Sequence, residues 1–343
     1  MTSNAPDVKF GIRLLDDLGG ARELIALGQL AEDLGFDTLW FPHDKFRLNS
    51  WVLHSALAQI TSRIQLYVRT NLYTAAPSEM TDFISTLDHV SQGRANLTVG
   101  LHNFDTVTWV GLTADDVLPR VREATGIIRR LLAGERGPFD GQIYHYTDKA
   151  FLRVKPFREH LPILVCPIGE DFLELSGEIG DGSLPMVTPP ESAPLIADPI
   201  RRGLRKSANP DRPFDMCAFV WMAISEDRAE AAAMLADVAA YFGTYLDPRG
   251  LAVIGLTIDD FRPAYERIIA RDFQGARALV TPDMLRTGIY GTPEECARQL
   301  EVVVNAGFNH ISIGGPLGRD PAEAMRLIAE RVVPAFKSAT AVV

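Results

Sequence analysis

Cysteine is scarce in this chain. Only Cys166, Cys217 and Cys296 occur among 343 residues, and no two form a C-x-x-C pair. An odd, widely spaced set argues against a disulfide framework and against a cysteine zinc site, and fits reduced, buried thiols. Dense runs of lysine and arginine are also missing, and the formal net charge is -10. General affinity for nucleic-acid phosphate needs clustered cations, so that partner is discounted. No apolar run approaches the roughly 20 residues of a membrane-spanning helix. The opening MTSNAPDVKF lacks the basic-then-apolar pattern of a secretory leader. A cytoplasmic protein is expected, with neither a membrane nor a nucleic acid as partner. No G-x-G-x-x-G follows the first apolar run, which weakens a dinucleotide-binding Rossmann reading.

What is present is a core-forming composition, 47% hydrophobic and 23% charged, arranged as short apolar runs alternating with longer helical stretches. Val8 to Leu14 reads as a strand. Leu24, Leu27, Ala31 and Leu34 then mark one helical face, ended by Gly35. Strands are predicted at 37–41, 64–68 and 95–99, with helices at 50–60, 78–90 and 115–133 between and after them. Residues 137–156 break the pattern as a hairpin-like insertion. Strands resume at 162–166, 183–187, 214–224 and 310–313, with helices near 171–179, 193, 227, 294–305 and 322–333. Residues 246–287 read as a second, irregular helical insertion. Strands that alternate with helices pair in parallel through crossovers. Eight such units without a linker predict one α/β domain over residues 1–343. The expected fold is a closed (β/α)8 TIM barrel with insertions after helix 4 and after helix 7.

Four segments carry a resemblance. Thr86-Leu87-Asp88-His89-Val90-Ser91-Gln92-Gly93-Arg94 resembles a phrase that leads into the fourth barrel strand of luciferase-like monooxygenases and methylenetetrahydromethanopterin reductases. Ala31 to Trp40 (AEDLGFDTLW), Leu173 to Gly182 (LELSGEIGDG) and Gly291 to Glu295 (GTPEE) with Ala306-Gly307-Phe308 match further phrases of that superfamily, in its order. The resemblance spans about residues 8 to 335 and is greatest to reductases that use the deazaflavin coenzyme F420. It implies a luciferase-like oxidoreductase transferring hydride between F420 and a small organic substrate, and a homodimer or larger homo-oligomer. Two alternatives remain open. One is a two-component monooxygenase using FMN and oxygen, with a flavin reductase as partner. The other is a barrel that has lost cofactor binding.

Chemistry in such barrels sits on loops after the C-terminal strand ends. After strand two, the family places an acid and then a histidine facing the cofactor. Here the order is His43 then Asp44, so Asp44 falls in the histidine slot. Both are candidate catalytic residues, able to hold or move a proton. After strand three, Val68, Arg69, Thr70 and Asn71 are candidate cofactor contacts. The resemblance implies a bulge here with a non-proline cis peptide at Val68-Arg69. Gly100, His102 and Asn103 after strand four are expected at the polar edge of the ring. Ile168, Gly169 and Glu170 after strand five are expected where the cofactor tail passes, at a helix N-terminus suited to anions. Glu170 and Asp171 would repel a phosphate there. Arg13, Lys45, Arg47 and Arg69 fall near the mouth, either as an anion-binding ring or as solvated side chains. Trp51, Phe104, Trp109 and Trp221 are candidate pocket or core aromatics. Gly314-Gly315-Pro316 reads as the turn before the last helix, with a second phosphate contact as the alternative. No metal site is expected.

Overall fold

The computed structural model describes residues 8–43, 46–100 and 109–337. Its strands in chain order are β1 (Lys9–Arg13), β2 (Thr38–Pro42), β3 (Gln65–Asn71), β4 (Ala95–Gly100), β5 (Phe139–Asp140), β6 (His145–Tyr146), β7 (Ile163–Cys166), β8 (Gly182–Ser183), β9 (Asp215–Ile224), β10 (Ile289–Gly291) and β11 (His310–Leu317). The barrel runs β1-β2-β3-β4-β7-β8-β9-β11, all neighbours parallel. It closes where β8 pairs with β9 and β11 pairs with β1.

The helices between strands are α1 (Ala21–Asp33), α2 (Ser50–Ile60), α3 (Pro77–Val90), α4 (Val117–Leu132), α5 (Glu170–Ile179), α6 (Ala193–Lys206) and α7 (Arg228–Phe242). The second insertion supplies α8 (Pro248–Val253), α9 (Ile258–Ile269) and α10 (Phe273–Ala278). The chain then forms α11 (Pro293–Asn305) and α12 (Pro321–Leu327).

Alternation along the strands sorts side chains into two cores. Leu39, Leu66, Val68, Leu97, Ile163, Val220 and Ile311 face the helix layer. Trp40, Tyr67, Leu164, Cys217, Phe219 and Trp221 fill the barrel, and that core continues into α7 and the second insertion. Trp40 and Tyr67 stack with centroids 4.1 Å apart.

The first insertion contains the expected hairpin, with Phe139 opposite Tyr146. Glu123 of α4 holds it by accepting backbone N–H bonds from Gln142, Ile143 and Tyr144. Four details differ from the sequence reading. Strand β8 pairs over only two residues, because Pro185 has no N–H to give a ladder. Strand β10 was not foreseen; it lies beside the far end of β9. Strand β11 runs through Gly314 and Gly315 to Leu317 with a register shift, so these glycines form an irregularity inside a strand rather than a turn. The closing helix loosens over Ile328–Val332 and then tightens over Val333–Phe336, where Pro334 falls in its terminal turn.

Residues of the resemblance phrases do structural work, most of them at the opposite end from the mouth. Glu32 accepts backbone N–H bonds from Ser62, Arg63 and Ile64 at 2.7–3.0 Å. Burial opposes its charge, but these bonds prevail and its pKa is lowered. Arg94 donates to the carbonyls of Ala58, Thr61 and Ile64. The α2–β3 turn is therefore clamped from both sides. Asp181 accepts from the Ile163 N–H and pairs with Arg129. Thr292 and Glu295 form a capping box at the start of α11.

The barrel floor is a buried polar network. His310 lies 3.0 Å from Asp215 through Nδ1 and 2.8 Å from the Thr38 hydroxyl through Nε2. Tyr67 donates to Asp215 at 3.2 Å, and Lys9 approaches at 3.7 Å. Burial would raise the Asp215 pKa. The charge and hydrogen bond of His310, with Lys9 and Tyr67, outweigh it and hold the carboxyl at about 2. A depressed folded-state pKa stabilises above the unfolded value of about 3.9, and that contribution fades as pH falls through the folded value. Asp215→Asn should therefore lose about 3–5 kcal/mol at neutral pH, the usual cost of removing one partner of a buried pair. In urea unfolding, the gap between variant and parent should shrink between about pH 4 and pH 2. A gap that stays constant across that window would contradict this account.

Candidate active site at the barrel mouth

The loops after β1, β2, β3, β7, β8, β9 and β11 share one end of the barrel. The described parts enclose two adjoining cavities. The larger is lined by Arg13, Asp17, Arg47, Phe219, Trp221, Val238, Phe242, Tyr245 and Gly315, among others. The smaller is lined by Pro167, Ile168, Gly169, Leu173 and Asp247, among others. Met186, Val187 and Leu246 line both, so the two are contiguous.

The predicted residues fall into distinct places. His43 ends β2, its backbone N–H bonded to the Arg69 carbonyl at 2.6 Å. Arg69 points inward, is 2% exposed and reaches across the mouth to the Met186 sulfur at 2.8 Å. Val68 packs against the helix layer, and alternation turns Thr70 the same way. Their side chains therefore face away from the mouth. Asn71 is inward, but its side chain accepts from the Tyr73 N–H at 2.9 Å and braces the turn after β3. The expected bulge is absent, since β3 and β4 pair in unbroken register from Leu66 to Asn71. Among the described residues the only cis peptide is Gly315–Pro316, so Val68–Arg69 is trans.

Gly100 ends β4 at a tight approach, where a Cβ would lie 2.5 Å from the Cys166 carbonyl oxygen. Ile168 and Gly169 line the smaller cavity, as their loop position suggested. Gly169 has φ +83°, and a Cβ there would meet nothing within 4 Å, so its backbone is open to a guest. Asp44, Lys45, His102, Asn103 and Phe104 lie outside the described residues.

Glu170 does not stand as a bare charge at the α5 N-terminus. It is bonded to Arg202 at 2.5 Å and to Arg249 at 3.0 Å, and Arg249 also binds Asp247. The repulsion expected of this carboxylate is thereby offset. Of the other mouth cations, Arg47 pairs with Asp16, and Arg13 sits over the Phe219 ring at 4.3 Å. Among the aromatics, Trp51 is buried against α3, Trp109 is exposed, and Trp221 lines the larger cavity.

Phe219, Met186, Phe242, Tyr245 and Leu246 were not singled out from the sequence. A signal existed, because Val238, Phe242 and Tyr245 repeat at four and three residues through the end of α7. Two buried hydroxyls near the mouth lack a protein partner among the described residues. Thr98 lies inward on β4 opposite Arg69 in register, and Thr188 follows Val187. Buried polar atoms without protein partners are uncommon. These two, with Arg69 and the open Gly169 backbone, suit the polar edge and tail of a flat heterocycle. No cluster of three or more His, Cys, Asp or Glu side chains able to hold a metal occurs among the described residues. No described helix is long and apolar enough to cross a membrane.

Known proteins bear on this arrangement. The family model for luciferase-like monooxygenases matches residues 8–310. The 5,10-methylenetetrahydromethanopterin reductase of Archaeoglobus fulgidus is 30% identical over 336 residues, covering 96% of this chain and 100% of that protein. The solved coenzyme F420 dependent tetrahydromethanopterin reductase of Methanopyrus kandleri superposes with TM-score 0.89 at 27% identity, over 97% of this chain and 100% of that one. An F420-dependent glucose-6-phosphate dehydrogenase from Nakamurella multipartita is 24% identical, over 97% of this chain and 98% of that protein.

The Glu170 ties are partly solvated, so they position the α5 start more than they stabilise the fold. Glu170→Gln should change the free energy of urea unfolding by less than about 1 kcal/mol. A loss of several kcal/mol would show instead that the second insertion depends on this ion pair to fold.

Proposed function

The chain belongs to the luciferase-like monooxygenase family, and on that premise we propose that it is an oxidoreductase moving hydride between coenzyme F420 and a small organic substrate. The observation that carries this reading is end-to-end similarity to an F420-dependent reductase, with the fold matched over the whole of that chain. FMN-binding monooxygenases also share the fold, at 16% identity in one case. They support the architecture alone.

Bound F420 supplies a ring carbon that gives or accepts hydride. The protein's part is to hold, orient and keep dry. Arg69 and Thr98 would meet the polar edge of the ring, and Ile168 and Gly169 would line the path of its tail. Pinning of Glu170 by Arg202 and Arg249 keeps that path open to an anion. His43 and Asp44 are the groups we assign to proton transfer at the ring or substrate. Closure of the larger cavity by Phe242, Tyr245 and Leu246 limits water beside the reacting atoms. We further assign the chain to the cytoplasm and to a homo-oligomer, as a single barrel domain.

Equilibrium dialysis with absorbance detection tests the reading. The purified chain should retain F420 and bind FMN at least about tenfold more weakly, a difference of roughly 1.4 kcal/mol. Binding of reduced FMN with oxygen uptake, and no retention of F420, would overturn it in favour of a two-component monooxygenase. Retention of neither would leave a barrel without a cofactor.

A further inference from the structure

The two cavities lie on different sides of the mouth. Residues assigned to the cofactor come from β2, β3, β4 and β7. Around the ring, β3 and β4 stand opposite β9 and β11. The larger cavity belongs to that opposite side. Its walls come from the ends of β1, β9, β11 and α7, with Met186 and Val187 from the loop after β8. Resting on the proposed reaction, this leaves the larger cavity for substrate.

The cavity is built largely from rings and aliphatic side chains. Phe219 and Trp221 alternate inward on β9. Phe219 lies deeper and is already engaged. Arg13 sits over its ring at 4.3 Å, and a Cβ on Gly314 would collide with its edge. Trp221, nearer the mouth, lines the cavity together with Phe242 from the end of α7. Their centroids stand 6.1 Å apart, with the planes tilted by 43°. A flat ring laid on one of them meets the other near its edge, and both arrangements are favourable between aromatic rings. Val187, Val238 and Leu246 complete the apolar lining.

The pair is held from behind. Gly288 backs Trp221 so closely that a Cβ there would lie 3.3 Å from the Trp221 Cβ and 2.8 Å from a Leu235 methyl. Tyr241 meets the Phe242 ring edge-on, with centroids 4.5 Å apart. Tyr245 follows in the next turn, and its hydroxyl lies 3.0 Å from that of Tyr265 on α9. The second insertion thus braces this wall. Rings fixed before a ligand arrives lose little side-chain freedom on binding, so the shape they present can select.

We propose that the larger cavity takes an uncharged substrate carrying a flat aromatic ring. Trp221 and Phe242 are the specificity-determining residues, and the selection rests on ring surface and not on charge. Both are separate from the residues that would hold the cofactor.

The test uses the full chain and three probes: benzyl alcohol, its saturated analogue cyclohexylmethanol, and glucose 6-phosphate. The saturated ring is the more apolar of the two alcohols, so area burial alone would favour it. Affinities are read by ligand-observed NMR, with F420 binding measured in parallel. Benzyl alcohol should bind at least about threefold more tightly than cyclohexylmethanol, the scale of one ring-on-ring contact beyond area burial. Glucose 6-phosphate should bind more weakly than either. Trp221→Leu and Phe242→Leu keep apolar bulk and remove a ring. Each should reduce the preference for benzyl alcohol, and the two together should abolish it, with F420 affinity within about twofold of the parent. Trp221→Phe should retain part of the preference.

A parent chain that binds cyclohexylmethanol or glucose 6-phosphate as tightly as benzyl alcohol would overturn the proposal, and these comparisons need no variant to fold. A preference that survives in the double variant would also overturn it, as would displacement of benzyl alcohol by F420. Failure of the parent to retain F420, with the ring preference present and lost in the double variant, would count against the proposed reaction and leave the aromatic pocket standing.

Discussion

The barrel closes through a narrow seam. Strands β8 and β9 meet over two residue pairs only, Gly182 with Asp215 and Ser183 with Met216. The approach is so close that a Cβ on Gly182 would lie 2.6 Å from the Asp215 carbonyl oxygen. The side chain of the same Asp215 anchors the floor network to His310 of β11 and Tyr67 of β3. One residue thus joins the seam to strands across the barrel. A ring held shut at its floor fixes where every strand ends at its mouth, and the position of each loop there follows from that closure.

Most of this architecture was legible in the sequence because it depends on patterns that repeat. Apolar runs such as Asp37 to Phe41 and Ala95 to Val99 mark strands buried on both faces, and helical stripes separate them. The segments that carried the resemblance proved to be fasteners. Glu32, Asp88, Arg94 and Asp181 satisfy backbone groups or pair with arginines at the base of the barrel, far from the mouth, and Thr292 caps α11 beyond the end of β10. Such residues identify a family because its strands must be joined to its helices in the same way. They say little about what the mouth binds.

The site was less legible for the converse reason. Mouth side chains are brought together by closure and not by spacing, so Arg69 of β3 meets Met186 from the loop after β8 with no local pattern to announce it. The apparent conflict at Glu170 arose because its partners, Arg202 and Arg249, are distant in sequence. The second insertion read only as irregular helix, yet it supplies Tyr265 behind the cavity wall. A single-residue alternation, inward at Arg69 and outward at Val68, decides which of two neighbours can touch a ligand.

The mouth that results is two-sided: an open glycine backbone and buried polar groups on one side, an aromatic cup with an arginine on the other. The central claim is that a planar cofactor occupies the first side and leaves the second for substrate. A crystal structure of the chain soaked with F420 tests this most directly. The account requires tricyclic density beside Arg69 and the Ile168–Gly169 loop, with the space between Trp221 and Arg13 still unfilled. Density for the ring wedged between Trp221 and Phe242 would contradict it.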